Sequence, residues 1–95
     1  MIKHIVMWKF KENTEKEREE FLERLLALNG VIPEIKSAEI KRNINMNGEN
    51  YDAMLISTFE NLEDMNKYKV DPRHVEVSSL CKSIRISRAS IDYEE

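Results

Sequence analysis

The chain has 95 residues, 41% hydrophobic and 35% charged, a length that supports one packed core and no second domain. Its 15 basic and 18 acidic residues leave a net charge of −3, which argues against a general phosphate-binding surface and so against nucleic acid as a partner. Cys81 is the single cysteine, so an internal disulfide is excluded, no Cys-x-x-Cys pair marks a zinc site, and a core this small must look to self-association for support.

In chain order, Ile2, His4, Val6, Trp8 and Phe10 alternate with Lys3, Ile5, Met7 and Lys9, the period-2 pattern of a strand over residues 2–10. Both faces of that strand carry apolar groups, which predicts a central strand covered on both sides. Thr14 and Glu17 have the spacing of a capping box, and Phe21, Leu22, Leu25, Leu26 and Leu28 form an apolar stripe; together they predict a helix over 14–29 with Gly30 as its left-handed stop. The charged run 15–20 reads as the solvated first turn of that helix.

Residues 36–45 alternate weakly, with Ala38, Ile40, Arg42 and Ile44 on one face, as an edge strand would. A turn centred on Asn47 and Gly48 joins them to a second two-sided strand, Tyr51 to Phe59. Asn61 is placed to cap a short helix containing Leu62, Met65 and Tyr68, which must end before Pro72. Asp71 and Pro72 restart a helix through Val75, Val77, Leu80 and Cys81. A last strand spans 83–93, where Ile84 and Ile86 differ in parity from Ile91 and Tyr93 and so require a bulge or bend.

The order strand, helix, strand, strand, helix pair, strand predicts an α+β, ferredoxin-like βαββαβ fold with a four-stranded antiparallel sheet. Helices cover one sheet face, and the other, carrying residues such as Met7, Met54 and Ile56, predicts a homodimer packed sheet to sheet. No apolar stretch approaches the roughly 20 residues of a membrane span, and Met1 leads directly into a strand; the expectation is a cytoplasmic protein with no membrane partner.

The segments His4 to Lys11, Ile32 to Ile35, Ser57 to Glu60, Tyr68 to Val75 and Ile91 to Tyr93, in this order and spacing, resemble the stress-responsive dimeric α/β-barrel (Dabb) family along essentially the whole chain. The resemblance implies two ferredoxin-like subunits closing one barrel as a dimeric α/β barrel. One plant member closes a linear polyketide by aldol condensation without a cofactor, and likeness to it implies His74 as general base, Tyr68 as its hydroxyl partner and His4 as a first-strand site residue. Asp71 stands where the family's Tyr-x-x-His-Pro-x-His motif has its first histidine, and Ala53 where the plant enzyme has another.

Histidine begins near pKa 6.5 and so suits carbon-acid proton removal, while a tyrosine hydroxyl can steady the resulting enolate. On this basis His74 and Tyr68 are the expected catalytic pair, with His4, Asp71 and Trp8 contacting a small hydrophobic carbonyl ligand. Asp71 would orient a histidine if near one, although helix capping competes for its carboxylate. His4, Asp71 and His74 would make a two-histidine, one-carboxylate metal set if they converged, but the reading settles on no metal and no cofactor. Haem is not expected: haem-degrading enzymes that share the fold carry asparagine on the first strand where this chain has His4. The competing reading is a non-catalytic, stress-related dimer that binds a ligand.

Overall fold

The computed structural model describes residues 1–45 and 48–95. The expected turn centred on Asn47 and Gly48 therefore lies partly outside the described residues. Strands β1 (Ile2–Phe10), β2 (Ser37–Arg42), β3 (Ala53–Phe59) and β4 (Arg85–Glu94) form an antiparallel sheet in the order β2-β3-β1-β4. Helices α1 (Glu15–Leu26), α2 (Leu62–Val70) and α3 (Pro72–Ile84) lie between them in sequence, completing the expected ferredoxin-like fold.

β1 is central, paired to β3 from Ile2↔Phe59 through Trp8↔Ala53 and to β4 from Ile2↔Glu94 through Phe10↔Arg85. Its even-numbered residues are all buried beneath the helices, while Lys3, Ile5, Met7 and Lys9 are only half-buried on the opposite face. The upper end of β1 is tied down by Asp52, whose Oδ2 accepts the Phe10 N–H at 2.8 Å and whose own N–H donates to the Trp8 carbonyl at 2.8 Å. In β4 the pairing shifts between Lys9 and Phe10, which face Ser87 and Arg85 and leave Ile86 as the extra residue of the expected bulge.

α1 begins as anticipated but without the capping box. The Thr14 hydroxyl donates to the Lys11 carbonyl at 2.6 Å and receives Arg18 Nη2 at 3.0 Å, so it caps no helical N–H. The helix also stops at Leu26, earlier than residue 29: Leu28 and Asn29 donate back three residues, tightening the chain into turns before Gly30 reverses it at φ 97°. Phe21, Leu22, Leu25 and Leu28 are buried, whereas Leu26 is exposed on the far side of the stripe. Ile44 is also corrected, lying past the end of β2 and fully exposed.

The double helix after β3 follows its capping residues. The Asn61 side chain accepts the Asp64 N–H at 2.8 Å, and the Asp71 carboxylate accepts the Arg73 N–H at 2.9 Å with Pro72 as the first residue of α3. Extended backbone at Asp71 (φ −61°, ψ 130°) breaks the helix, as a residue before proline should. Met65, Tyr68, Val77 and Cys81 turn inward, while Leu62 and Val75 are exposed. α3 runs on to Ile84, so β4 begins at Arg85 instead of residue 83.

Leu22, 1% exposed, is one of the buried core residues of α1. Leu22→Ala should cost about 2–5 kcal/mol in urea unfolding, against under about 0.5 kcal/mol for exposed Val70→Ala.

Candidate active site

A cavity of about 210 Å³ lies between the helix face of the sheet and the helices. Alternation on β1 aims His4, Val6 and Trp8 at it, with Leu55 of β3 beside them. Phe21 and Leu25 of α1 close one wall, Trp8 meeting Phe21 edge to face with ring centroids 5.2 Å apart. Tyr68 of α2 and His74, Ser78 and Cys81 of α3 form the opposite wall. Lys82, Arg85 and Arg88 complete the lining; Lys82 and Arg88 are exposed and Arg85 is half-buried, which makes this side the mouth.

Four of the five residues singled out from sequence therefore meet at one place. The Tyr68 ring centroid lies 4.3 Å from that of His74 and 6.3 Å from that of His4. Trp8 is 3% exposed and serves core and cavity together. Asp71 does not join them. Its carboxylate caps α3 and binds the Arg73 guanidinium at 2.8 and 3.0 Å, which holds it down at a pKa of about 2. The capping role has taken the side chain expected to orient a histidine. The conditional metal set fails for the same reason: among the described residues no three His, Cys, Asp or Glu converge as ligands.

Both histidines are oriented by other groups. His74 Nδ1 lies 3.1 Å from the Lys69 carbonyl oxygen. A carbonyl only accepts, so Nδ1 carries the proton and, in the neutral ring, Nε2 carries the free lone pair. Burial first, then the charges of His4 and Arg88, lower the His74 pKa below 6.5, against an upward pull from the Lys69 carbonyl and Asp71. His4 Nδ1 hydrogen-bonds Asp92, whose other oxygen lies 3.5 Å from Lys69 Nζ. Burial again outweighs the carboxylate and leaves the His4 pKa lowered. Both rings are accordingly neutral near pH 7.

The Tyr68 hydroxyl has no protein hydrogen-bond partner among the described residues. Burial drives its pKa far upward, with Arg88 opposing, so it stays a protonated donor. The site thus brings a neutral imidazole and an unused hydroxyl donor to one small cavity of mixed polar and apolar lining. That pairing can remove a proton from carbon and stabilise the oxygen anion that forms.

Asp92, Arg85, Arg88 and the Lys69 carbonyl were not assigned to the site from sequence. Asp92 had a signal: in an antiparallel β1–β4 pair the chain ends face each other, and the register His4↔Asp92 follows. The two arginines depend on where the β4 bulge falls, and the carbonyl on how α2 breaks.

Comparison with known proteins places the chain in a family. Olivetolic acid cyclase of Cannabis sativa is 28% identical over 95 residues, covering 97% of this chain and 94% of the cyclase. A dimeric protein of unknown function with a ferredoxin-like fold from Bacteroides fragilis superposes with a TM-score of 0.82 at 31% identity, over 99% of this chain and 95% of that one. Hydroxynitrile lyase from Passiflora edulis shares the fold, with a TM-score of 0.85 at 16% identity over 97% and 90% of the two chains. The stress responsive A/B barrel domain model matches residues 2–95, and the chain belongs to that Dabb family.

Proposed function

We propose that the protein is a cofactor-independent enzyme, of cyclase, lyase or isomerase type, that acts on a small carbonyl compound with an apolar body. The observation that carries this reading is the His74 Nδ1 bond to the Lys69 carbonyl, which leaves Nε2 free as a base on a ring whose centroid lies 4.3 Å from that of Tyr68. His74 Nε2 removes the proton next to the substrate carbonyl, and Tyr68 donates to the carbonyl oxygen as negative charge collects there. The imidazolium then returns its proton to the product. His4, steadied by Asp92, and Trp8 shape and dry the cavity around the substrate. Similarity to a cyclase supports the assignment without supplying its substrate.

The working form is proposed to be a homodimer in a cytoplasmic setting. Ile5, Met7, Met54 and Ile56 form an apolar surface opposite the helices, extended by Ile91 at 60% and Tyr93 at 42% exposure. Sheet-to-sheet pairing of two copies buries this face, and the Bacteroides fragilis relative is dimeric.

Against a panel of carbonyl substrates, His74→Ala should lower kcat/KM by about 10²–10⁴-fold and Tyr68→Phe by about 10²–10³-fold. Equal turnover by wild type and His74→Ala removes the base and leaves a ligand-binding dimer.

The pH profile supplies a second check. The free base is the working form and burial lowers its pKa, so kcat/KM should be full near neutrality and fall only as pH drops through a midpoint below 6.5. A midpoint above 6.5 contradicts the assignment.

Light scattering should return twice the 11.3 kDa chain mass, and Ile91→Asp should shift the protein toward monomer by placing a charge on the apolar face. A wild-type monomer at micromolar concentration rejects the dimer.

A further inference from the structure

The mouth of the cavity differs in character from its interior. Lys82 on α3 and Arg85 and Arg88 at the start of β4 all line it, in a chain whose net charge is −3. None of the three forms a carboxylate ion pair among the described residues, a state they share with Lys3, Lys11, Lys16 and Arg18, whereas the other eight cations are paired; of the seven, only Lys82, Arg85 and Arg88 line the cavity. The one side-chain hydrogen bond of Arg88 is a long one, Nη1 to Ser90 Oγ at 3.5 Å.

The bulge creates this arrangement. Arg85 and Arg88 are three residues apart and would point to opposite faces of a regular strand. With Ile86 as the extra residue, Arg85 pairs with Phe10 and Arg88 with Trp8, and both β1 partners face the helices. Arg88 lines the same cavity as His4, Tyr68, His74 and Cys81, and its charge acts on all four.

Guanidinium groups that have no carboxylate partner, at the mouth of a recess walled by Trp8, Phe21, Leu25 and Leu55, recognise a planar anion, since the arginine fork matches a carboxylate bidentately. An apolar cavity of about 150 Å³ holds benzene, so 210 Å³ accommodates a ring-sized body with its charged group at the mouth. We infer that the cavity takes a small monocarboxylate with an aromatic or aliphatic body, its carboxylate held by Arg88 and Arg85 with Lys82 at the rim and its body against Trp8 and Phe21. This rests on the cavity being the ligand site of the proposed enzyme and adds that the substrate or product is an anion.

The test uses 4-methylbenzoate and its neutral isostere 4-methylbenzamide, titrated by calorimetry and by the fluorescence of Trp8, the single tryptophan, which lines the cavity. The acid should bind at least about tenfold more tightly than the amide, the worth of one charge-assisted hydrogen bond. Added salt should weaken the acid and leave the amide unchanged. Arg88→Met should bring the two ligands to similar affinity, with Lys82→Met giving a smaller effect in the same direction should the strand variant fold poorly. Equal binding of acid and amide by the wild type, no binding of either, or an undiminished preference in a folded Arg88→Met overturns the inference. Binding is read without turnover, so a carboxylate preference that survives His74→Ala stands even if that variant loses no activity and the catalytic reading fails.

Discussion

Everything else in the molecule hangs on β1 having neither a free edge nor a free face. It is hydrogen-bonded to β3 on one side and β4 on the other, with buried side chains at every even position and apolar groups in the middle of the odd set. A one-residue slip would exchange the two sets, turning His4 and Trp8 out of the cavity and Met7 in. The core contacts of Val6, Trp8 and Phe10 that fix the register therefore fix the lining of the cavity as well. Asp52 strengthens the same constraint at the strand's end by satisfying the Phe10 N–H, which lies beyond the Trp8↔Ala53 end of the β1–β3 ladder.

From that strand the site is assembled by groups that hold side chains in one protonation pattern. His4 gives its Nδ1 to Asp92 and His74 gives its Nδ1 to a main-chain carbonyl. The two supports differ in kind: a carboxylate favours the imidazolium by hydrogen bond and by charge, whereas a neutral carbonyl favours it by hydrogen bond alone. His74, with the weaker support and with His4 and Arg88 nearby, is the ring better suited to stay neutral and accept a proton. His4, next to an acid, is better suited to hold the cavity wall.

The legible parts of the fold were those decided locally. Alternation located β1 and β3, Asn61 and Asp71 marked both helix starts after β3, and the parity change in the last strand announced its bulge. Misses arose where neighbours decided the outcome. Thr14 had the spacing of a capping box, but Lys11 and Arg18 claimed its hydroxyl. Leu26, Ile44, Leu62 and Val75 matched an apolar period yet point away from the sheet or lie past its end. In the site, His4, Trp8, Tyr68 and His74 were legible because strand and helix phase aim them inward, and the helix-capping geometry that Asp71 signals is what removes it from the cavity.

The last strand then does two jobs with one sequence. Its inward positions Arg88 and Asp92 face the cavity and its histidine, while Ala89, Ile91 and Tyr93 share the face of Met7, Ile5 and Lys3 across the ladder. A regular strand starting at Arg85 could not place both arginines inward together with this outward apolar set, because their three-residue spacing spans opposite parities. Ile86 resolves the conflict by adding one residue on β4 against none on β1. The bulge is thus the point at which an outward apolar face, the one proposed to meet a second subunit, and a cationic cavity mouth, the one proposed to meet a ligand, become compatible on one edge strand.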